Sequence, residues 1–84
     1  MLDRVEVVAV TVKYFASLRE RVGHAEQTVD AAEGNTVAQI WRRATGDEPL
    51  PDDVLSAVNL EYVPLDHVVV DGDEVAFFPP VTGG

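Results

Sequence analysis

The 84-residue sequence predicts an α+β fold in which one main helix packs across a small mixed sheet. Two apolar segments near the ends, 5–15 (VEVVAVTVKYF) and 74–78 (EVAFF), are dense in the β-branched and aromatic residues typical of strands. A strong helical period occurs only once, in the middle of the chain. Hydrophobic residues make up 46% and charged residues 25%, which is the balance of an ordinary globular protein.

The first strand is predicted over residues 5–15, with a short helix directly after it. Every second residue of the strand would share one half-buried face, which holds Val8, Val10, Val12 and Tyr14. Ser17 followed by Glu20 has the spacing of a capping box, and Gly23 would end the helix.

The main helix follows a weaker second strand, 25–31, which we expect at an edge of the sheet. Thr36 with Gln39 forms a second capping-box pattern, and Gly46 supplies the stop. The apolar positions between them follow the 3.6-residue period and form one stripe of Val37, Ile40, Trp41 and Ala44. We therefore expect Trp41 in the core.

The second half of the chain predicts further strands joined by turns. Residues 54–63 contain a strand with a turn near Asn59–Glu61, residues 66–70 (DHVVV) predict a brief strand, and Asp71–Asp73 predict a tight turn. If the first and last strands are neighbours, the main helix packs across both of them. That arrangement is the β-grasp, and we predict one such domain over 1–84 with an extended tail, 79–84.

Charge and composition exclude several function classes. The net charge is −9, and no Lys or Arg follows Arg43. This acidic half would repel nucleic acid and anionic membranes and attract a basic protein, although acidity also serves solubility alone. Cysteine is absent, which excludes a catalytic thiol and a disulfide. With no apolar run of membrane-spanning length and no signal-like N-terminus, we predict a cytoplasmic protein.

The C-terminal tail has the composition of an extended probe. Pro79 and Pro80 donate no backbone hydrogen bond, so the last strand must end there, and paired prolines favour an extended conformation. Six extended residues reach roughly 20 Å. Gly83 and Gly84 have no Cβ and fit a narrow channel, so the tail suits delivery of its own α-carboxylate into another protein. A frayed end is the alternative.

Strand alternation predicts an apolar patch beside the tail. If Val75 and Phe77 point into the core, then Glu74, Ala76 and Phe78 point outward. Phe78 would continue into Pro79, Pro80 and Val81 as an exposed apolar surface, which usually marks a contact site. The alternative is that the protein's own loops cover Phe78.

Several motifs together resemble the small subunit of molybdopterin synthase, a ubiquitin-like sulfur carrier. They are VKYFASLRE before a glycine, EGNTVAQI, and AVNLEYVPLDHVVVDGDEVAFFPPVTGG at the C-terminus. The resemblance runs from about Thr11 to Gly84. The segment DGDEVAFFPPVTGG is its most specific part, because it joins turn, strand and tail in the family's spacing. Residues 1–10 extend beyond the usual start of the family and would either lengthen the first strand or precede the true start.

The resemblance implies that the C-terminal carboxyl group carries sulfur. An E1-like adenylating enzyme would use ATP to adenylate Gly84, and a sulfur donor protein would convert it to a thiocarboxylate. The sulfur would pass to cyclic pyranopterin monophosphate on the large synthase subunit, within a heterotetramer of two small and two large subunits. Gly83 would give the tail flexibility, and the partner contacts would be Phe78, Pro79, Pro80, Val81 and Thr82.

The resemblance also implies that the catalytic groups belong to the partners, and we expect no permanently bound cofactor or metal. His24 and His67 lie in turn-like or edge contexts typical of solvated histidines. Lys13, Arg42 and Arg43 are typical of exposed cations or partners for acids.

Three other functions remain open from the sequence. A related sulfur carrier for thiamine synthesis also ends in Gly-Gly. A ubiquitin-like conjugator would join Gly84 to lysines of other proteins. A plain binding module would use the apolar patch and leave the tail without a role.

Overall fold

The computed structural model describes residues 7–80, which form a five-stranded sheet and two helices. The elements in chain order are β1 (Val7–Tyr14), α1 (Ser17–Val22), β2 (Glu26–Ala32), α2 (Val37–Thr45), β3 (Leu55–Val58), β4 (Glu61–Tyr62) and β5 (Glu74–Phe78). No helix in residues 7–80 is long and apolar enough to cross a membrane.

The sheet has the order β2-β1-β5-β3-β4, with the first and last strands paired at its centre. β1 and β5 run parallel, whereas β1–β2, β3–β5 and β3–β4 are antiparallel. β2 lies at an edge, as predicted, and α2 packs across one face. The α+β β-grasp prediction is confirmed.

The core lies between α2 and the sheet and contains three packed aromatic rings. Trp41 and Phe77 meet edge to face with centroids 5.0 Å apart, and Tyr14 contacts both rings. Trp41 donates a hydrogen bond from Nε1 to the Glu48 carbonyl oxygen at 2.9 Å, so its polar atom is satisfied inside the core. Burial raises the pKa of Tyr14 to about 12, because the phenolate would lose its hydration. The predicted core position of Trp41 is confirmed.

The two predicted capping boxes have different outcomes. The Thr36 side chain accepts a hydrogen bond from the Gln39 backbone N–H, and the Gln39 side chain bonds back to the Thr36 backbone, so the box at α2 is confirmed. The box predicted from Ser17 and Glu20 is wrong. Ser17 is already the first residue of α1, and the cap position falls on Ala16, which has no side-chain acceptor and a φ of 53°.

Residues 54–63 form the β3–β4 hairpin, whose turn at Asn59 and Leu60 agrees with the prediction. The strand predicted over 66–70 is wrong, since that segment makes only one isolated bridge, between Val68 and Thr36. The segment must return from the edge strand β4 to the central strand β5. On the way it bonds to the start of α2, where Val37 N–H donates to the His67 carbonyl oxygen at 2.9 Å.

The predicted turn at Asp71–Asp73 is confirmed, with Gly72 at a φ of 88°. It ties the end of the crossover to β1, because Ala9 N–H donates to Asp71 Oδ1 at 2.7 Å and Gly72 N–H donates to the Ala9 carbonyl oxygen at 2.9 Å. Residues 7–10 of the N-terminal extension thus lengthen β1, where they pair with 29–32 of β2. Residues 1–6 lie outside the described part of the chain.

Candidate functional site

β5 has one face buried against α2 and one face that is partly open to solvent, as strand alternation predicts. Val75 and Phe77 are fully buried against α2. Phe78 lies on the other face and is half-buried. Ala76 also points to that face, but it is buried because it pairs with Ala57 of β3 in the middle of the sheet.

Phe78 is flanked by two aromatic side chains that are themselves exposed. Its ring stacks on Phe15 with centroids 4.7 Å apart and planes within 8°, and it lies 6.1 Å from the ring of Tyr62. Phe15 is 42% exposed and Tyr62 is 73% exposed. The alternative of a Phe78 enclosed by loops is therefore wrong, since its neighbours face solvent with it.

These side chains form one apolar surface, which we call the aromatic face. It consists of Phe15, Leu55, Tyr62 and Phe78 around the two small residues Ala57 and Ala76. The pairing register places all six on the side of the sheet away from α2. Large side chains around two alanines make a surface with a shallow centre, and exposed apolar patches of this kind mark interaction sites.

An ion pair borders the aromatic face. Lys13 Nζ lies 3.4 Å from Glu74 Oε1, and both side chains are about one-third exposed. Lys13 pairs with Ala76 across β1 and β5, so the charges lie beside the apolar residues rather than among them. A partly exposed pair of this kind contributes little to stability.

Phe15 and Tyr62 are site residues that the sequence prediction missed. A signal for Phe15 was present, because it follows the buried Tyr14 and must point to the opposite face if the strand continues. Tyr62 required the hairpin register, which pairs it with Ala57 and brings it to the same face as Phe78. That register depends on the turn at 59–60.

The tail begins at the border of the aromatic face. β5 ends at Phe78, Pro79 is half-buried and Pro80 is exposed. The other predicted site residues, Val81, Thr82, Gly83 and Gly84, lie outside the described residues.

The remaining candidate residues do not gather into a site. His24 is exposed, and His67 contributes backbone bonds to the crossover. Arg42 pairs with Asp47 at 3.3 Å, and the Arg43 side chain donates to the Asp30 carbonyl oxygen, as expected for exposed cations with local partners. Within residues 7–80, no group of His, Asp or Glu is arranged to hold a metal ion.

The chain is similar to known proteins along most of its length. The sequence profile of the ThiS family matches residues 12–84. The molybdopterin synthase sulfur carrier subunit of Escherichia coli is 44% identical, over 89% of this chain and 99% of that protein. The human protein of the same name is 33% identical, over 95% of this chain and 99% of that protein.

The fold is also similar to a solved structure with a different name. The small archaeal modifier protein 1 of H. volcanii superposes with a TM-score of 0.77 at 29% identity, covering 88% of this chain and 99% of that one.

Proposed function

Since the chain belongs to the ThiS family and, within it, to the molybdopterin synthase sulfur carrier subunits, we propose that its C-terminal carboxyl group carries sulfur for molybdopterin synthesis. The observation that carries the proposal is the position of the aromatic face. It lies where the tail leaves the sheet, so a partner that binds this face receives the tail at the same time.

The carboxyl group needs activation before it can take up sulfur. In the first step a carboxylate oxygen of Gly84 attacks the α-phosphorus of ATP, and pyrophosphate leaves as the acyl adenylate forms. Sulfide released by a sulfur donor protein then attacks the carbonyl carbon, the C–O bond to the phosphate breaks, and AMP leaves. The product is a thiocarboxylate, whose sulfur forms a bond to the pyranopterin precursor; water then cleaves the acyl C–S bond, which leaves the sulfur on the pterin and restores the carboxylate.

The chain itself supplies little catalysis in this scheme. It contains no cysteine that could hold the sulfur as a thiol derivative. The groups that bind ATP and the pterin belong to an E1-like adenylating enzyme and to the large synthase subunit. This chain contributes the reacting carboxyl group at Gly84, the slim Gly83 beside it and the contacts from Phe78 to Thr82.

The large synthase subunit is the partner that we assign to the aromatic face, in a heterotetramer of two small and two large subunits. Burial of Phe15, Tyr62 and Phe78 in one interface would provide the aromatic anchors that dominate protein–protein affinity. The acidic half around them favours a basic partner surface. Because the first step consumes ATP, we place the reaction in the cytoplasm.

The mass of the intact chain tests the chemistry directly. The purified protein is incubated with ATP, the adenylating enzyme and a sulfur source, and we expect one oxygen to be replaced by sulfur at Gly84. A variant that lacks Gly83 and Gly84 should keep its circular dichroism spectrum and show no such replacement. His24→Ala, an exposed change outside the site, serves as the matched control and should react like the unmodified chain.

The same incubation, with target proteins or one of the two precursors added, separates the alternatives. Adducts to lysines of other proteins, without a thiocarboxylate, would favour a conjugator, a role suggested by the name of the archaeal relative. Sulfur transfer to the thiamine precursor but not to the pyranopterin would identify the other sulfur carrier. Sulfur loading of the truncated variant would contradict the proposal.

A further inference from the structure

A second surface lies at the other end of β5, away from the tail. A groove of about 510 Å³ is lined by hairpin residues 58, 59 and 61–63 and by crossover residues 67, 68, 70 and 73, and we call it the hairpin groove. Glu74 and Phe78 mark the two ends of β5 and are roughly 13 Å apart along the strand. Only Tyr62 borders both the hairpin groove and the aromatic face.

Aliphatic side chains stand exposed along the hairpin groove. Val68 and Val70 line the groove and are 50% and 58% exposed, and Leu60, at the tip of the hairpin beside the lining residues, is 89% exposed. Val69 between those two valines is fully buried, so the crossover alternates one core residue with two outward ones. No described residue covers the three exposed side chains.

The backbone at Leu60 is strained, although its side chain is almost fully exposed and adds no buried area to the core. Asn59 and Leu60 have φ angles of 50° and 73°. A two-residue turn with both φ values positive strongly prefers Asn-Gly, because a side chain at the second position is crowded by the backbone. A leucine that is both strained and exposed points to a contact outside the chain.

The walls of the hairpin groove are held in place before any partner binds. Asp73 is buried and bridges them, since its Oδ1 accepts from Asn59 Nδ2 at 2.9 Å and its Oδ2 accepts from Val70 N–H at 2.8 Å. Asn59 Oδ1 accepts in turn from Glu74 N–H at 3.0 Å. A fixed groove lowers the entropy lost on binding.

The charges around the hairpin groove have one sign. Glu61, Asp66 and Asp71 are exposed beside it. The segments that form it contain no Lys or Arg, because none follows Arg43. An occupant with basic side chains would complement this rim.

We propose that the hairpin groove binds an extended segment of a partner protein in which aliphatic residues alternate with Lys or Arg. β4 is an edge strand, and exposed sheet edges accept extended segments. The aliphatic side chains of the segment would contact Leu60, Val68 and Val70, while its cations would face the acidic rim. Because the contacts at Leu60, Val68 and Val70 lie toward the Glu74 end of β5, a bound partner would leave the Phe78 end, where the tail begins, free for chemistry at Gly84.

Titration with a defined peptide tests the groove without any enzyme. The probe is a short acetylated peptide of alternating lysine and valine, and a peptide of alternating glutamate and valine is the control. Backbone amide shifts in the full chain should move with the lysine peptide within 58–63 and 67–73. The amide of Phe15 should stay unchanged, and the glutamate peptide should cause no shift in the groove.

Two variants test the role of the exposed side chains. Leu60→Gly should weaken peptide binding about fivefold or more and raise the melting temperature, because glycine adopts the turn without strain. Val70→Thr keeps the side-chain shape and should weaken binding without altering the turn. Equal binding of both peptides, shifts confined to the aromatic face, or unchanged affinity in both variants would overturn the proposal. None of these outcomes depends on sulfur transfer at Gly84.

Discussion

The two faces of the sheet carry the same kinds of side chain for different purposes. Tyr14 and Phe77 of the sheet pack against Trp41 of α2, and all three are buried. Phe15, Tyr62 and Phe78 lie on the opposite face, in contact with each other and open to solvent. A buried ring and a surface ring are adjacent in the sequence twice, at Tyr14–Phe15 and at Phe77–Phe78. One residue step therefore separates a stabilising ring from a surface ring.

The difference shows that aromatic content alone does not identify a site. The buried rings between α2 and the sheet are surrounded by packed side chains and not by water, which stabilises the fold. Rings on the aromatic face contact each other but remain hydrated on their outer side, so much of their apolar area is still available for a partner. Substitutions at matched positions on the two faces should therefore separate stability from binding.

The largest effect is expected from Phe77→Ala, on the helix side. Loss of a fully buried ring that contacts Tyr14 and Trp41 should lower the free energy of unfolding by about 3–5 kcal/mol. Chemical denaturation measures this value. A loss as small as that of Phe78→Ala would contradict the assignment of the two faces.

Alkaline pH should weaken the fold through Tyr14. Its pKa is raised from 10.0 to about 12 in the folded protein, so the unfolded chain loses this proton first as the pH rises. Stability from this group is complete below pH 10 and falls between about pH 10 and pH 12, by about 2–3 kcal/mol. Denaturation at a series of pH values should show the loss.

Substitution of the two tyrosines provides the control for this pH dependence. Tyr14→Phe should remove most of the alkaline loss, while Tyr62→Phe on the aromatic face should leave it in place. If Tyr62→Phe removed the alkaline loss and Tyr14→Phe did not, the titrating group would be Tyr62 on the aromatic face, and the prediction would be wrong.

The smallest of the three effects is expected from Phe78→Ala. It should weaken binding to the large synthase subunit by about 2 kcal/mol, or roughly 30-fold, because a central aromatic anchor is lost. Titration calorimetry measures the affinity. The free energy of unfolding should change far less than in Phe77→Ala, since Phe78 already faces solvent on one side. Unchanged affinity would exclude the aromatic face as the docking surface.

The sequence predicts those elements whose signals are local. The alternation in β5 correctly separated Phe77 from Phe78, and the Thr36–Gln39 spacing correctly marked the start of α2. The box at Ser17 failed because the spacing was right but the helix began one residue too early for its side chain to cap.

Other features depend on tertiary contacts that no local pattern encodes. The valines at 68–70 have strand-forming composition, yet their backbone bonds go to the loop before α2 because the chain must cross to β5. Tyr62 joins the aromatic face only through the register of the β3–β4 hairpin. The tail residues from Val81 to Gly84 remain a prediction from sequence and family.

The parallel pairing of β1 and β5 has a mechanical consequence. The tail leaves from the end of a central strand that is bonded on both sides, to β1 and to β3. A force applied to that tail would act along β5 and load many inter-strand hydrogen bonds at once in shear. An edge strand would instead separate one bond at a time, so the central position of β5 makes the fold resistant to unfolding by force applied at its C-terminus.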